Sequence, residues 1–337
     1  MARERHCVHC HRDILDGRFA APPRLLARWR SHLLSLNRVP SLEGTGRLLQ
    51  RAWVRDFLLS PCDVRPALFA TMPRLELTPA QADALAGWLV PEEAPPSHFT
   101  PAEAAAGRAL YERLRCASCH RFTGADASSP PPEPATDSVA LAPDLALARV
   151  RVQSGALADW LADPQRTKPD ALMPRFPIGA PEARALAAFI LTAPLAPTPP
   201  LRPHPRQPPL RRRVGWDEVS ARVFRRTCWH CHGQPDYARG DGGPGNTGGF
   251  GFAGRGLDLS SFAGIAAGAR GDDGRRRSVF SKGADGEPLL LATLLARQLE
   301  QTGRVVPGVR GMPLGLPALS PEDIQLVESW VLQGRPR

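Results

Sequence analysis

The pentapeptide Cys-x-x-Cys-His occurs three times, at Cys7–His11, Cys116–His120 and Cys228–His232. Each copy has its own Met-Pro downstream: Met72-Pro73, Met173-Pro174 and Met312-Pro313. The chain's one other methionine is Met1. Each Met-Pro leads into a helix start with the same grammar. The first reads Thr78-Pro79-Ala80-Gln81, then Leu85 and Trp88-Leu89. The second reads Pro181-Glu182, then Leu186 and Phe189-Ile190; the third reads Ser320-Pro321-Glu322, then Val327 and Trp330-Val331. Thr78 and Ser320 suit N-caps, Pro79 and Pro321 the first helical position, and Gln81 a capping box. In each copy the aromatic and its neighbours fall on one helical stripe. A unit repeated in this way predicts an all-α chain of three tandem helical domains. Their expected bounds are 1–91, 100–194 and 214–335. Pro-rich linkers join them, Pro91–Pro101 and the longer Ala193–Arg213, which reads as an extended, semi-rigid spacer.

The motif has a chemical reason. Two thiols three residues apart reach the two vinyl groups of one haem and form thioethers, and the adjoining His then lies under the iron. A distant Met can close the opposite axial position, because a thioether is a soft ligand that suits haem iron and not zinc. The pairs assigned to thioether attachment are Cys7 and Cys10, Cys116 and Cys119, and Cys228 and Cys231. The assigned iron ligands are His11 with Met72, His120 with Met173, and His232 with Met312. The competing reading of one Cys-x-x-Cys is half a zinc site or a redox dithiol. A zinc site would need two clips close in the fold, whereas these copies lie far apart, each with a Met.

Between motif and Met the first two copies also match. Pro40-Ser41-Leu42 leads to Trp53-Val54 and Pro61, and Pro143-Asp144-Leu145 leads to Trp160-Leu161 and Asp163-Pro164. The second copy adds Gly107-Arg-Ala-Leu-Tyr111 running into Cys116. Here the chain resembles class I (mitochondrial-type) cytochrome c domains. The resemblance implies a fold of cytochrome c-like helical domains. It also implies that the carbonyls of Pro40 and Pro143 orient the proximal histidines through Nδ1, an arrangement that fixes ring orientation and ligand strength. The third copy departs from the pattern. A Gly-rich insertion, Gly240–Gly256, follows its motif and no Pro-x-Leu is clear; Gly256-Leu-Asp-Leu259, Ser278-Val-Phe280 and Glu287-Pro-Leu289 come before Met312. That segment resembles the cytochrome c-like domains of large environmental cytochromes, with Met312 as ligand and the group that would orient His232 unassigned.

The first copy departs at its start. Six residues precede Cys7, leaving no place for the family's N-terminal helix, and Met1–Arg12 has no apolar run that would serve as an export signal. Haem attachment to this motif belongs outside the cytoplasm, so we expect a periplasmic or otherwise exported protein with the signal and the helix upstream of Met1. The alternative is a short first domain whose gap Arg24–Leu36 fills, with Leu25, Trp29, Leu33 and Leu36 on one face.

Formal net charge is +10, almost all of it arginine, since Lys168 and Lys282 are the only lysines. Six propionates on three haems would offset more than half of it. The arginine excess reads either as codon bias or as a surface for acidic redox partners. Arg211–Arg213 and Arg275–Arg277 lack interleaved aromatics, which excludes a nucleic-acid-binding reading. No apolar run is long enough to span a membrane. Cys62, the odd cysteine, is expected to pack as a small residue near a helix end. The remaining histidines, His6, His9, His32, His98, His204 and His230, are expected at the surface or as replacements for a Met ligand. Taken together, these readings imply a carrier of electrons between redox partners of a respiratory or photosynthetic chain, with three haem c groups and their iron. A filled sixth position argues for transfer over catalysis. The alternatives are a peroxidase-like haem oxidoreductase with one open iron, and a cytochrome subunit of a larger complex.

Overall fold

A hydroxyl followed by proline starts three of the long helices. Thr78 Oγ1 accepts from Gln81 N at 3.2 Å and Gln81 Oε1 accepts from Thr78 N at 3.1 Å, a complete capping box. Thr100 and Glu103 repeat it, and Ser320 Oγ accepts from Asp323 N at 3.1 Å. Each box satisfies amides that the first turn leaves open. The computed structural model describes residues 40–62, 64–66, 72–75, 77–126, 137–169, 171–199, 202–229, 231–233, 255–271 and 273–337.

The longer helices, in chain order, are α1 (Arg51–Leu59), α2 (Pro79–Leu89), α3 (Pro101–Arg113), α4 (Ser154–Ala162) and α5 (Ala180–Thr192). Then come α6 (Trp216–Val219), which continues as a π-helix over Ser220–Cys228, α7 (Leu289–Glu300) and α8 (Pro321–Leu332). Apolar side chains gather in three clusters. Val54 and Leu58 of α1 meet Ala82, Leu85 and Ala86 of α2. Leu110, Tyr111, Leu157, Leu161, Leu186 and Phe189 unite α3, α4 and α5. Val219, Phe224, Leu291, Leu294, Val327 and Trp330 unite α6, α7 and α8.

The second cluster depends on one glycine. A Cβ at Gly107 would strike the carbonyl oxygen of Ala185 and lie 2.9 Å from Phe189 Cβ, so α3 and α5 cross at backbone contact. The crossing brings Phe189 to 5.4 Å from Tyr111 and 5.7 Å from Phe122, ring centroid to centroid.

The first two clusters are bound by a reciprocal clasp. Gln50 N donates to Arg151 O at 2.8 Å, and Gln153 N to Leu48 O at 2.9 Å. Gln50 Nε2 donates to Arg149 O and Val152 O; Gln153 Nε2 donates to Gly46 O and Leu49 O. Leu49 and Val152 form a single antiparallel bridge between them. Each side gives what it receives, as in the contact between two copies related by a two-fold axis. The clasp matches Pro40 with Pro143, Gln50 with Gln153 and Pro61 with Pro164 at one constant offset. Under that offset Phe57, not Trp53, stands where Trp160 stands, which corrects the pairing of Trp53 with Trp160.

The described chain is mainly helical, with one short antiparallel hairpin, Ala269–Arg270 against Arg276–Arg277. Two further expectations need correction. Cys62 is exposed, because it lies past the end of α1 and off its apolar face. Trp88 is 53% exposed, while Phe189 and Trp330 are buried. Phe189 is covered by α3, and among the described residues no helix stands in that relation to α2.

The extended spacer is held at several points along its length. Ala196 N donates to Gly124 O on the second cluster. From Arg206 onward the spacer is strapped to α8. Arg206 pairs with Glu287 and Glu328, both at 2.7 Å, Leu210 N donates to Ser329 Oγ at 2.8 Å, and Gln325 Nε2 to Pro208 O at 2.6 Å. His98 and His204 are exposed, as expected. Arg24–Leu36, His6, His9, His32, His230 and most of the Gly-rich insertion lie outside the described residues. No described helix is long and apolar enough to cross a membrane.

Candidate metal centres

Helix α3 ends where Arg115 turns through the left-handed region at φ 57°, a conformation that costs a non-glycine residue roughly 1–2 kcal/mol. This turn throws Cys116–Ser118, a single 3₁₀ turn, off the helix end, and His120 N closes it on Cys116 O at 3.0 Å. Cys116 and Cys119 are not joined by a disulfide. Burial pushes the Cys116 thiol up to about 11. A redox dithiol needs the opposite, a thiolate stabilised near neutral pH. Among the described residues no three His, Cys, Asp or Glu side chains converge to hold a metal ion, so the zinc alternative finds no ligand set there.

His120 Nδ1 lies 2.9 Å from the Pro143 carbonyl oxygen. A carbonyl only accepts, so Nδ1 carries the proton and Nε2 keeps its lone pair, the state a metal ligand needs. Burial lowers the His120 pKa, and the Pro143 bond opposes it in part. The Pro143 carbonyl is itself held. Asp144 accepts from Thr123 N at 3.0 Å, from Ala146 N at 2.9 Å and from the Thr123 hydroxyl. Met173 packs against the same apolar cluster as Cys116. Gln165 Nε2 fixes its loop by donating to Met173 O at 2.8 Å and Ala171 O at 3.0 Å. Gln165 was not foreseen in the sequence; a polar residue in a loop leaves no periodic signal.

Buried polar groups of this unit, two of them beside the motif, test whether a haem fits it. The Tyr111 hydroxyl is buried without a hydrogen-bond partner, and burial, with the Cys116 thiol next, pushes its pKa up to about 12. Arg149 and Arg151 each bury an unpartnered Nε. Among the described residues neither arginine pairs with a carboxylate. Burial draws the Arg151 pKa down to about 10, with Arg65 adding to the effect. Buried cations without anions are costly. A haem brings two carboxylates, so the donor set fits: two thiols, a neutral imidazole, a thioether and two arginines short of anions.

The third copy repeats part of this arrangement. Cys228 and Cys231 are unbridged, and burial raises both thiols, Cys228 to about 12. Cys228 and Met312 pack against one cluster, and Met312 N is fixed on Thr293 O at 2.9 Å. Leu257-Asp258-Leu259 returns to the motif as Pro143-Asp144-Leu145 does: Leu259 N donates to His232 O at 2.6 Å, and Leu145 N to Arg121 O at 2.9 Å. Asp258 caps its own loop through Ser260 N at 2.8 Å, as Asp144 does through Ala146 N. The shared Asp-Leu was the signal available in the sequence. In the first copy Met72 packs against the α1–α2 cluster. Cys7, Cys10 and His11 lie outside the described residues, and with them the role assigned to Pro40.

No curated protein and no solved structure matches the chain. The family model for cytochrome c matches residues 104–194, the stretch that holds α3, the second motif, Pro143, Met173 and α5. The match supports a cytochrome c domain over this part of the chain, and such a domain implies covalently bound haem c with its iron and haem-based electron transfer.

Proposed function

We propose that the chain is a multihaem c-type cytochrome of three tandem domains that passes electrons between redox protein partners outside the cytoplasm. The observation that carries this reading is the His120 Nδ1–Pro143 O bond, made by a histidine that directly follows two unbridged thiols. When bound, the haem supplies the one-electron iron couple. The chain supplies the rest. Cys116 and Cys119 would hold the haem covalently, and His120 Nε2 and Met173 would serve as its iron ligands. Arg151 would offset the charge of its carboxylates, and the apolar cluster would keep water out, which favours the less charged state of the centre. The same roles fall to Cys228, Cys231, His232 and Met312, and to Cys7, Cys10, His11 and Met72. Thioether ligation raises the potential relative to a second histidine, which suits a carrier in a respiratory or photosynthetic chain.

Mass spectrometry of the exported holoprotein after acid–acetone extraction should show three retained haems. The long-wavelength Met–iron absorption band should weaken by about a third in each of Met72→Ala, Met173→Ala and Met312→Ala, if the sites contribute alike. Retention of one haem only, or an unchanged band in Met173→Ala, would refute the reading.

A further inference from the structure

One buried carboxylate joins the two Met-Pro segments that lie farthest apart in the chain. Glu300, at the end of α7, is 7% exposed. Its Oε1 accepts from Gly311 N at 3.0 Å, the amide next to Met312. The same oxygen meets Arg74 Nε at 3.3 Å, two residues after Met72. Oε2 meets Arg297 Nη1 at 3.2 Å. Arg74 reaches past the carboxylate, and its Nη2 donates to Val309 O at 2.7 Å on the loop that leads to Met312. Arg297 holds the far side of that loop, with Nε and Nη2 on Leu316 O at 3.0 and 2.8 Å. Met72, Arg74, Arg297 and Glu300 line one narrow crevice. Gly311 has no room for a side chain, since a Cβ there would run into the Glu300 carboxylate.

The arrangement is specific. Arg74 is mostly buried, at 17% exposure, and among the described residues its bonded partners, Glu300, Val306 and Val309, lie on the third unit. A charge so placed is held by geometry and is not screened like a surface pair. We propose that Glu300 is a positioning residue for both Met72 and Met312, and that the first and third centres are coupled through it. This proposal rests on the reading of both methionines as distal ligands. The physical warrant is a shared element: whatever moves the carboxylate moves the Gly311 amide and the Arg74 guanidinium together.

The test uses the holoprotein with Glu300→Gln, which keeps the shape and removes the charge, and Arg74→Met, which keeps the stem. Amide hydrogen exchange at Gly311 reports the Glu300 contact with no reference to the haems. It should speed up about tenfold or more in Arg74→Met, although Arg74 is not bonded to that amide, because removing one partner strands the buried charges of the others. Spectroelectrochemistry should show the third centre's potential shifted by Arg74→Met and the first centre's shifted by Glu300→Gln. Glu300→Asp should restore part of both. If Arg74→Met leaves Gly311 exchange and the third potential as in the parent, the coupling is refuted. Failure of the ligand reading is separate: Met72→Ala and Met312→Ala would leave the Met–iron band unchanged, while the exchange measurement would still report on the Glu300 contacts.

Discussion

Two glycines inside helices should respond to alanine with opposite signs. At Gly107 in α3 the new methyl would meet the Ala185 backbone, its carbonyl carbon at 2.6 Å, and Phe189 Cβ at 2.9 Å. The carbonyl belongs to α5 and cannot turn aside, so the helices must separate. Overpacking of this kind costs about 1–3 kcal/mol. Against it stands the gain of up to about 1 kcal/mol that alanine brings to a helix interior. A net loss of about 1–2 kcal/mol should lower the melting temperature by roughly 5–15 °C for a unit of this size. Gly87 in α2 is the control, with nothing within 4 Å of its added Cβ. Gly87→Ala should therefore gain about 0.5–1 kcal/mol. Thermal unfolding followed by far-ultraviolet circular dichroism reads both. A neutral or stabilised Gly107→Ala, or equal losses at the two positions, would refute the close crossing of α3 and α5.

Gln153, 4% exposed, also accepts from Ala94 N at 2.7 Å, so Gln153→Ala should strand several buried backbone groups of the clasp. The expected loss is about 1–3 kcal/mol, read by denaturant titration. Glu103 is held down to about 2 by the Thr100 amide first, then by Arg184 and the Thr100 hydroxyl. Its folded pKa lies below the unfolded value of about 4.3, so its contribution is complete above that pH and fades as pH falls toward 2. Glu103→Gln should flatten this acid limb, and an unchanged acid titration would count against the cap. In limited proteolysis with a nonspecific protease, cuts within 206–214 should be slow in the parent and faster in Arg206→Ala, with fragments identified by mass. Rapid cutting there in the parent would mean the strap on α8 does not hold.

Chemistry written into single residues and their close neighbours was legible from the sequence. The three Cys-x-x-Cys-His motifs offer two thiols and an imidazole by residue type alone. Thr78, Gln81 and Ser320 cap helices through bonds that span three residues, so their spacing announces them. The Pro143 carbonyl was reached through family resemblance, and its bond to His120 is present. Other features were decided by tertiary structure alone. The donors of Gln50 and Gln153 go to backbone carbonyls of the other unit, and a carbonyl carries no residue identity to read. The exposure of Trp88 against the burial of Phe189 and Trp330 depends on whether a helix lies over each, not on the stripe they share. Glu300 meets Arg74 across more than two hundred residues of chain, and no period or motif links them. Short-range bonds leave a spacing in the sequence; bonds between distant segments exist only once the clusters have packed and brought those segments together.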